Sequence, residues 1–406
     1  IENYENVQRA VIINLEPYRQ KGRKISGYVQ DIWRPWDNLT LRPGVRFDHG
    51  HLENDSGETV LNSFNASPRV NFSWDPFNDR KSRVHGGYNK YLDSGYLEVS
   101  GFVNRNNLSA EYYNWDAANH RWNTDGSRAS TPTPDLAHYD LVPANTDEFV
   151  IGFEREIQKD LAADITYIHR WYHNWYEDDE VNLIWNGDGT NVIGNRSGVD
   201  SIMYRMRTPA EGYRNYYAWE FTVRKNLSDN LQLLGSYTYS RTEGNTSSLF
   251  SGDFDHPMQR WYENGILGID RPHVVKFQGA YDNPARFKVT EKFSIGYGFG
   301  FVYEFASGAP FNKYYYNSYY QGVSDLRERR GISYRLPAYS SLDLRATVKF
   351  TIVATQIDLV VMFDNVLGSR EILGVFQSAT DSNGDVWVDE NGESYFAQPY
   401  RRQFPR

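Results

Sequence analysis

Few residues in this chain have types and spacings that could do chemistry. Asp381-Ser382-Asn383-Gly384-Asp385 is followed by Asp389-Glu390-Asn391-Gly392-Glu393. Oxygen donors at every second position suit Ca²⁺, so Asp381, Asn383, Asp385 and Asp389 are the calcium candidates. Val386 stands where an EF-hand loop requires glycine, and an acidic solvated turn is the competing reading. Glu177-Asp178-Asp179-Glu180 is a similar but weaker acidic run. Gly296, Gly298 and Gly300 alternate within an apolar run and open no helix, so they are not a nucleotide fingerprint. The nine histidines show no HExxH pair or metal spacing. No nucleophile–base pair emerges either. The chain is not expected to be an enzyme, and no cofactor beyond the candidate calcium is expected.

Most of the charged residues that could meet a ligand sit instead at alternate positions of extended segments. Asn215 to Ser240 shows the unit. Tyr217, Trp219, Phe221 and Val223 alternate with Ala218, Glu220, Thr222 and Arg224. Leu231, Leu233, Tyr237 and Tyr239 alternate with Gln232, Ser236, Thr238 and Ser240. Asn226 to Asn230 supplies turn residues that bond their own backbone. One face is aromatic and the other polar, over about the ~9–11 residues that a tilted strand needs to cross a bilayer. Leu342 to Phe350 alternates without error, and Phe293 to Phe305 carries seven apolar residues on one face.

About twelve such strands follow one another, with one more candidate at each end, the first within Val7 to Leu15. Their connections alternate short and long. The long ones, near 92–146, 172–214, 241–272, 306–339 and 367–398, are rich in Asn, Asp, Tyr and Trp. A soluble β-sandwich shares the strand alternation, but it does not usually put every long loop at one end. Short periplasmic turns opposite long extracellular loops are the habit of outer-membrane barrels. The expected fold is therefore all-β, a transmembrane antiparallel β-barrel.

Composition agrees. No apolar run approaches the ~20 residues of a membrane helix. Tyr (31), Phe (22) and Trp (11) are abundant, and aromatic rings favour membrane interfaces. The absence of cysteine excludes disulfides and thiolate metal sites. The net charge of −9 argues against a nucleic-acid partner.

A charge on the lipid face would cost about 2–4 kcal/mol at the midplane. Arg42, Arg46, Arg69, Asp164, Arg170, Glu220, Arg224, Asp343, Arg345 and Lys349 are therefore expected to face a wet lumen, lining a substrate path, gripping a plug, or serving as ordinary cross-paired wall residues. Loop aromatics could stack on a ligand or another surface protein. The candidates are Trp115, Trp171, Trp175, Tyr315 and Tyr319, and the alternative is packing among the loops and an interfacial girdle.

Several segments resemble TonB-dependent outer-membrane receptors, in particular their Oar-like branch. They are Val29-Gln30-Asp31-Ile32-Trp33 with Leu39 to Asp48; Ser67-Pro68-Arg69-Val70 with Gly86-Gly87-Tyr88; Gly152 to Glu156; and Trp219 to Tyr239. Asp270-Arg271-Pro272-His273, Ser307-Gly308-Ala309-Pro310, Arg335 to Tyr339 with Asp343, and Asp364-Asn365-Val366-Leu367 complete the set. The resemblance implies a bacterial outer-membrane receptor that takes up a scarce large ligand, driven by TonB through a plug domain. It implies a plugged barrel of about 22 strands. Residues 1–406 are then expected to be a β-barrel fragment of about 12–14 strands, without the signal, plug, first strands and last strand. The ligand stays open among siderophore, oligosaccharide, peptide and protein. So does a second role, as a surface scaffold or adhesion component.

Overall fold

The structure is a computed structural model. It describes residues 9–14, 20–93, 99–100, 109–116, 119–130, 141–189, 191–198, 204–246, 250–251, 257–317, 322–381, 385–389 and 391–402. Twelve strands form one antiparallel meander in which each pairs with its sequence neighbour. They are β1 (Lys21–Gln30), β2 (Leu39–Glu53), β3 (Thr59–Trp74), β4 (Ser82–Asp93), β5 (Ala144–Gln158), β6 (Leu161–His173), β7 (Arg214–Ser228), β8 (Leu231–Gly244), β9 (His273–Thr290), β10 (Phe293–Ala306), β11 (Tyr339–Ile352) and β12 (Thr355–Phe363). This nearest-neighbour order is that of an up-and-down barrel wall. β1 and β12 are its edges among the described residues.

Six tight connections lie at one end, over 31–38, 75–81, 159–160, 229–230, 291–292 and 353–354. Asp229 and Asn230 both take positive φ (51° and 65°), the two-residue turn whose twist matches that of its strands. The long connections lie at the other end, over 94–143, 174–213, 245–272 and 307–338.

Three expectations need correction at that long-loop end. The sequence after Asp48 reads as a loop of moderate length, but only a short turn is present there. β2 and β3 continue to Glu53 and from Thr59, leaving only residues 54–58 between them. At 16 residues β3 exceeds what a bilayer crossing needs, so the sheet stands beyond any apolar band there. The early strand is real but is not part of the wall: Arg9–Asn14 pairs with Ser109–Asp116, which pairs with Arg121–Ser130. The candidate strand at the other end, Pro399–Arg402, pairs with Ile372–Val375 outside the wall. The long loops therefore have sheets of their own.

The buried apolar core also lies at this end. Leu52, Val60 and Leu61 at the β2–β3 tip pack with Val99, Leu141, Tyr176 and Met206 from the loops and Ala144 at the start of β5. The wall itself has a different economy. Trp219, Phe221, Val223 and Tyr239 stay 41–50 % exposed, so among the described residues no second sheet covers their face. No helix in the described residues is long and apolar enough to cross a membrane.

Candidate functional site

Because side chains alternate across a strand, the register assigns every wall residue to a face. Trp219 is opposite Tyr167 and Tyr239, and Phe221 is opposite Ile165 and Tyr237. The aromatic face thus runs continuously, with rings in contact: Tyr167–Trp219 centroids are 5.0 Å apart and Phe277–Phe301 5.0 Å.

The opposite face collects the charges. Arg42 is opposite Asn71, Arg46 opposite Ser67, and Arg69 opposite Asn89. Asp164 pairs across with Glu154, Arg170 with Glu148, and Glu220 with Thr166. Arg224 faces Leu234, Asp343 faces Val302, Arg345 faces Gly300 and Lys349 faces Gly296. Followed strand by strand, these ladders put all ten residues on one face.

Their partners divide them. Arg46 bonds buried Asp48 at 3.0 Å, which also accepts from Ser26 at 2.6 Å. Asp164 holds His85 at 3.0 Å and accepts from Thr166 at 2.7 Å. Gly152 makes room for that contact: a Cβ there would meet the His85 ring at 2.7 Å and the Thr166 hydroxyl at 2.4 Å. Glu154 is shared by Arg83 and Arg224. Arg170 pairs with Glu148 at 2.6 Å, and Lys349 with Asp282 at 2.6 Å. Arg69 lies over the Tyr91 ring, 4.8 Å from its centroid. Asp343 accepts the backbone N–H of Asn365 and so holds the chain after β12. Arg42, Glu220 and Arg345 have no ion-pair partner among the described residues, and these three charges stand open on the polar face.

The loop aromatics are mostly committed elsewhere. Trp171 belongs to β6, on the aromatic face, where its ring lies 3.6 Å from His169; it is not a loop residue. Trp175 is buried, and Arg214 lies 4.3 Å above its ring and 4.2 Å from the Tyr172 ring. Trp115 packs on Trp122 at 5.2 Å. Tyr315 lies under Arg327 at 4.0 Å. Tyr319 lies outside the described residues.

In the acidic turns, Asp381 Oδ1 accepts the Asp385 N–H, and Asp389 Oδ1 accepts those of Asn391 and Glu393. These oxygens serve their own turns, Asp385 is exposed, and Asn383 lies outside the described residues. Among the described residues no three acidic or imidazole groups gather as a metal cage.

Sequence reading missed a clamp between loops. Arg335 binds Asp270 and donates to the Gly308 carbonyl at 3.0 Å. Arg271 binds Glu371 at 2.7 Å and donates to the Ser307 carbonyl at 2.9 Å. Buried Arg330 pairs with buried Glu263. The quoted segments Asp270 to His273, Ser307 to Pro310 and Arg335 to Tyr339 are therefore one assembly, whose motifs were visible without their meeting point.

Outside the wall, several groups carry shifted titrations. Lys81 and Ser82 N–H groups hold the Asp79 carboxyl below its ordinary range. Burial pushes the Tyr213 hydroxyl up.

Comparison with known proteins agrees with this architecture. The family described as "Outer membrane beta barrel domain" matches residues 53–342. The TonB-dependent transporter Oar of Myxococcus xanthus is 23 % identical over 384 residues, 81 % of this chain and 34 % of that protein. The outer membrane transporter YddB of Escherichia coli superposes with a TM-score of 0.55 at 15 % identity, over 90 % of this chain and 43 % of that one. The ferric enterobactin receptor PfeA of Pseudomonas aeruginosa gives 0.53 at 16 % identity, over 93 % and 43 %. The chain thus spans about a third of the curated relative's length. It belongs to the outer membrane beta barrel domain family, is located in the outer membrane, and has TonB-dependent transporters and receptors as its relatives.

Proposed function

We propose that this chain forms part of the wall of a receptor that imports a large ligand with energy delivered by TonB. The long loops capture the ligand, and the polar face lines the path. The observation that carries this reading is the segregation of ten charged residues onto one face, with Arg42, Glu220 and Arg345 left open, behind an exposed aromatic face that suits lipid. The relatives support it as transporters and receptors. No covalent chemistry is needed.

The test uses cells carrying the full-length protein and a panel of radiolabelled iron chelates, oligosaccharides and peptides. A protonophore should abolish accumulation while leaving surface binding in place. Accumulation that survives the protonophore contradicts energised import. Binding without accumulation in energised cells indicates a scaffold instead.

A further inference from the structure

The ladder between β8 and β9 is interrupted at its loop end. Tyr239 pairs with His273, but Glu243 pairs with Ile266, and residues 267–272 leave the sheet between them. A cavity of about 370 Å³ opens at this break. Its charged lining is four arginines (Arg241, Arg329, Arg330 and Arg335) against one acid, Asp270.

Neighbouring carboxylates account for three of these arginines. Arg335 binds Asp270, Arg330 binds Glu263, and Arg241 binds Glu243 at 2.7 Å. Arg329 is different. It is exposed, donates Nε–H to the Asn264 carbonyl at 2.9 Å, and has no carboxylate within ion-pair distance among the described residues.

The site is rigidly built. Ile266 N–H donates to the Arg330 carbonyl at 3.0 Å, and Arg330 N–H donates to the Tyr262 carbonyl at 2.8 Å. Gly331 has φ +67°, and its Cβ would strike the Ile266 carbonyl at 2.3 Å. The turn that carries Arg329 is thereby pinned to the segment opposite Glu243 and Gly244.

Tyr239 and Arg241 come from the aromatic face, and both are exposed, as is Ile332 beside Arg329. A cationic notch flanked by exposed apolar groups, at the loop end of a lipid-facing surface, matches an anionic headgroup attached to a membrane. Guanidinium groups match phosphate oxygens in shape and charge.

We propose that this notch binds a phosphomonoester, with Arg329 as its principal contact and Arg241, which it would share with Glu243, as the second. The aromatic-face position favours a phosphorylated glycolipid of the outer leaflet over a soluble phosphate ester. The proposal rests on the outer-membrane location and not on the transport reading.

Native mass spectrometry of the full-length protein in detergent tests it, with bisphosphorylated lipid A and chemically dephosphorylated lipid A as probes and glucose 6-phosphate as a soluble competitor. The bisphosphorylated form should bind about tenfold more tightly. The combined change Arg241→Gln with Arg329→Gln should remove that advantage, and Arg241→Lys with Arg329→Lys should largely keep it. Heat-modifiable migration on a gel confirms that each variant is folded. If glucose 6-phosphate competes, the site stands and its source is soluble. Equal binding of both lipid A forms with no competition by glucose 6-phosphate, or a phosphate preference untouched by the glutamine variants, overturns the proposal.

Discussion

Arg335 binds the carboxylate of Asp270 and, with the same guanidinium, the carbonyl of Gly308. One side chain thus joins the loop before β9 to both ends of the loop between β10 and β11. Asp270 is 1 % exposed and also accepts the Thr242 N–H at 2.7 Å. Arg335→Ala should leave that carboxylate without its cation, at a cost of about 2 kcal/mol. Limited proteolysis should then cut within 245–272 and 307–338 while the wall survives. Loops as resistant as those of the parent protein would show that the clamp holds nothing.

Gly152 is fixed by what stands beside it. Any side chain there meets His85 and Thr166. Gly152→Ala should cost about 1–3 kcal/mol through overpacking, measured by urea unfolding in detergent. His85→Ala removes the ring, so the double variant should recover part of the loss. A double variant no more stable than Gly152→Ala would mean that the ring is not the obstacle.

Asp79 caps the turn after β3 by accepting the N–H groups of Lys81 at 2.8 Å and Ser82 at 2.9 Å. Those bonds lower its pKa from the ordinary 3.8. A depressed carboxylate contributes stability above its unfolded value, and that contribution fades as pH falls through the folded one. Asp79→Asn keeps an acceptor but removes the charge. The parent should lose stability more steeply than the variant as pH drops below 3.8. Parallel acid unfolding curves would remove Asp79 from the account.

The twelve wall strands were legible because alternation is a local signal, and β7–β8 and β10–β11 display it with hardly a break. The loop end was not legible. Arg9–Asn14 looks like a strand, yet nothing near it in sequence names Ser109–Asp116 as its partner. Asp270 and Arg335 stood in quoted motifs, but a contact across 65 residues leaves no periodic trace. Trp171 and Trp175 stood in one aromatic-rich run. One more residue of strand parity put the first on the aromatic face, and burial took the second. On the polar face, local pattern could separate charged from apolar positions. It could not separate Lys349, held by Asp282, from Arg345, which is held by no acid among the described residues.

The central claim is that the polar face lines water and the aromatic face meets lipid. The chain contains no cysteine, so a cysteine introduced here is the one thiol of these 406 residues, and the parent full-length protein serves as the labelling control. Glu220→Cys, Phe221→Cys, Thr222→Cys and Val223→Cys, each in the full-length protein in isolated outer membranes, can be challenged with a small water-soluble thiol reagent. Labelling at positions 220 and 222, with protection at 221 and 223, is the predicted result. Equal labelling at all four, or the inverse pattern, would contradict the account.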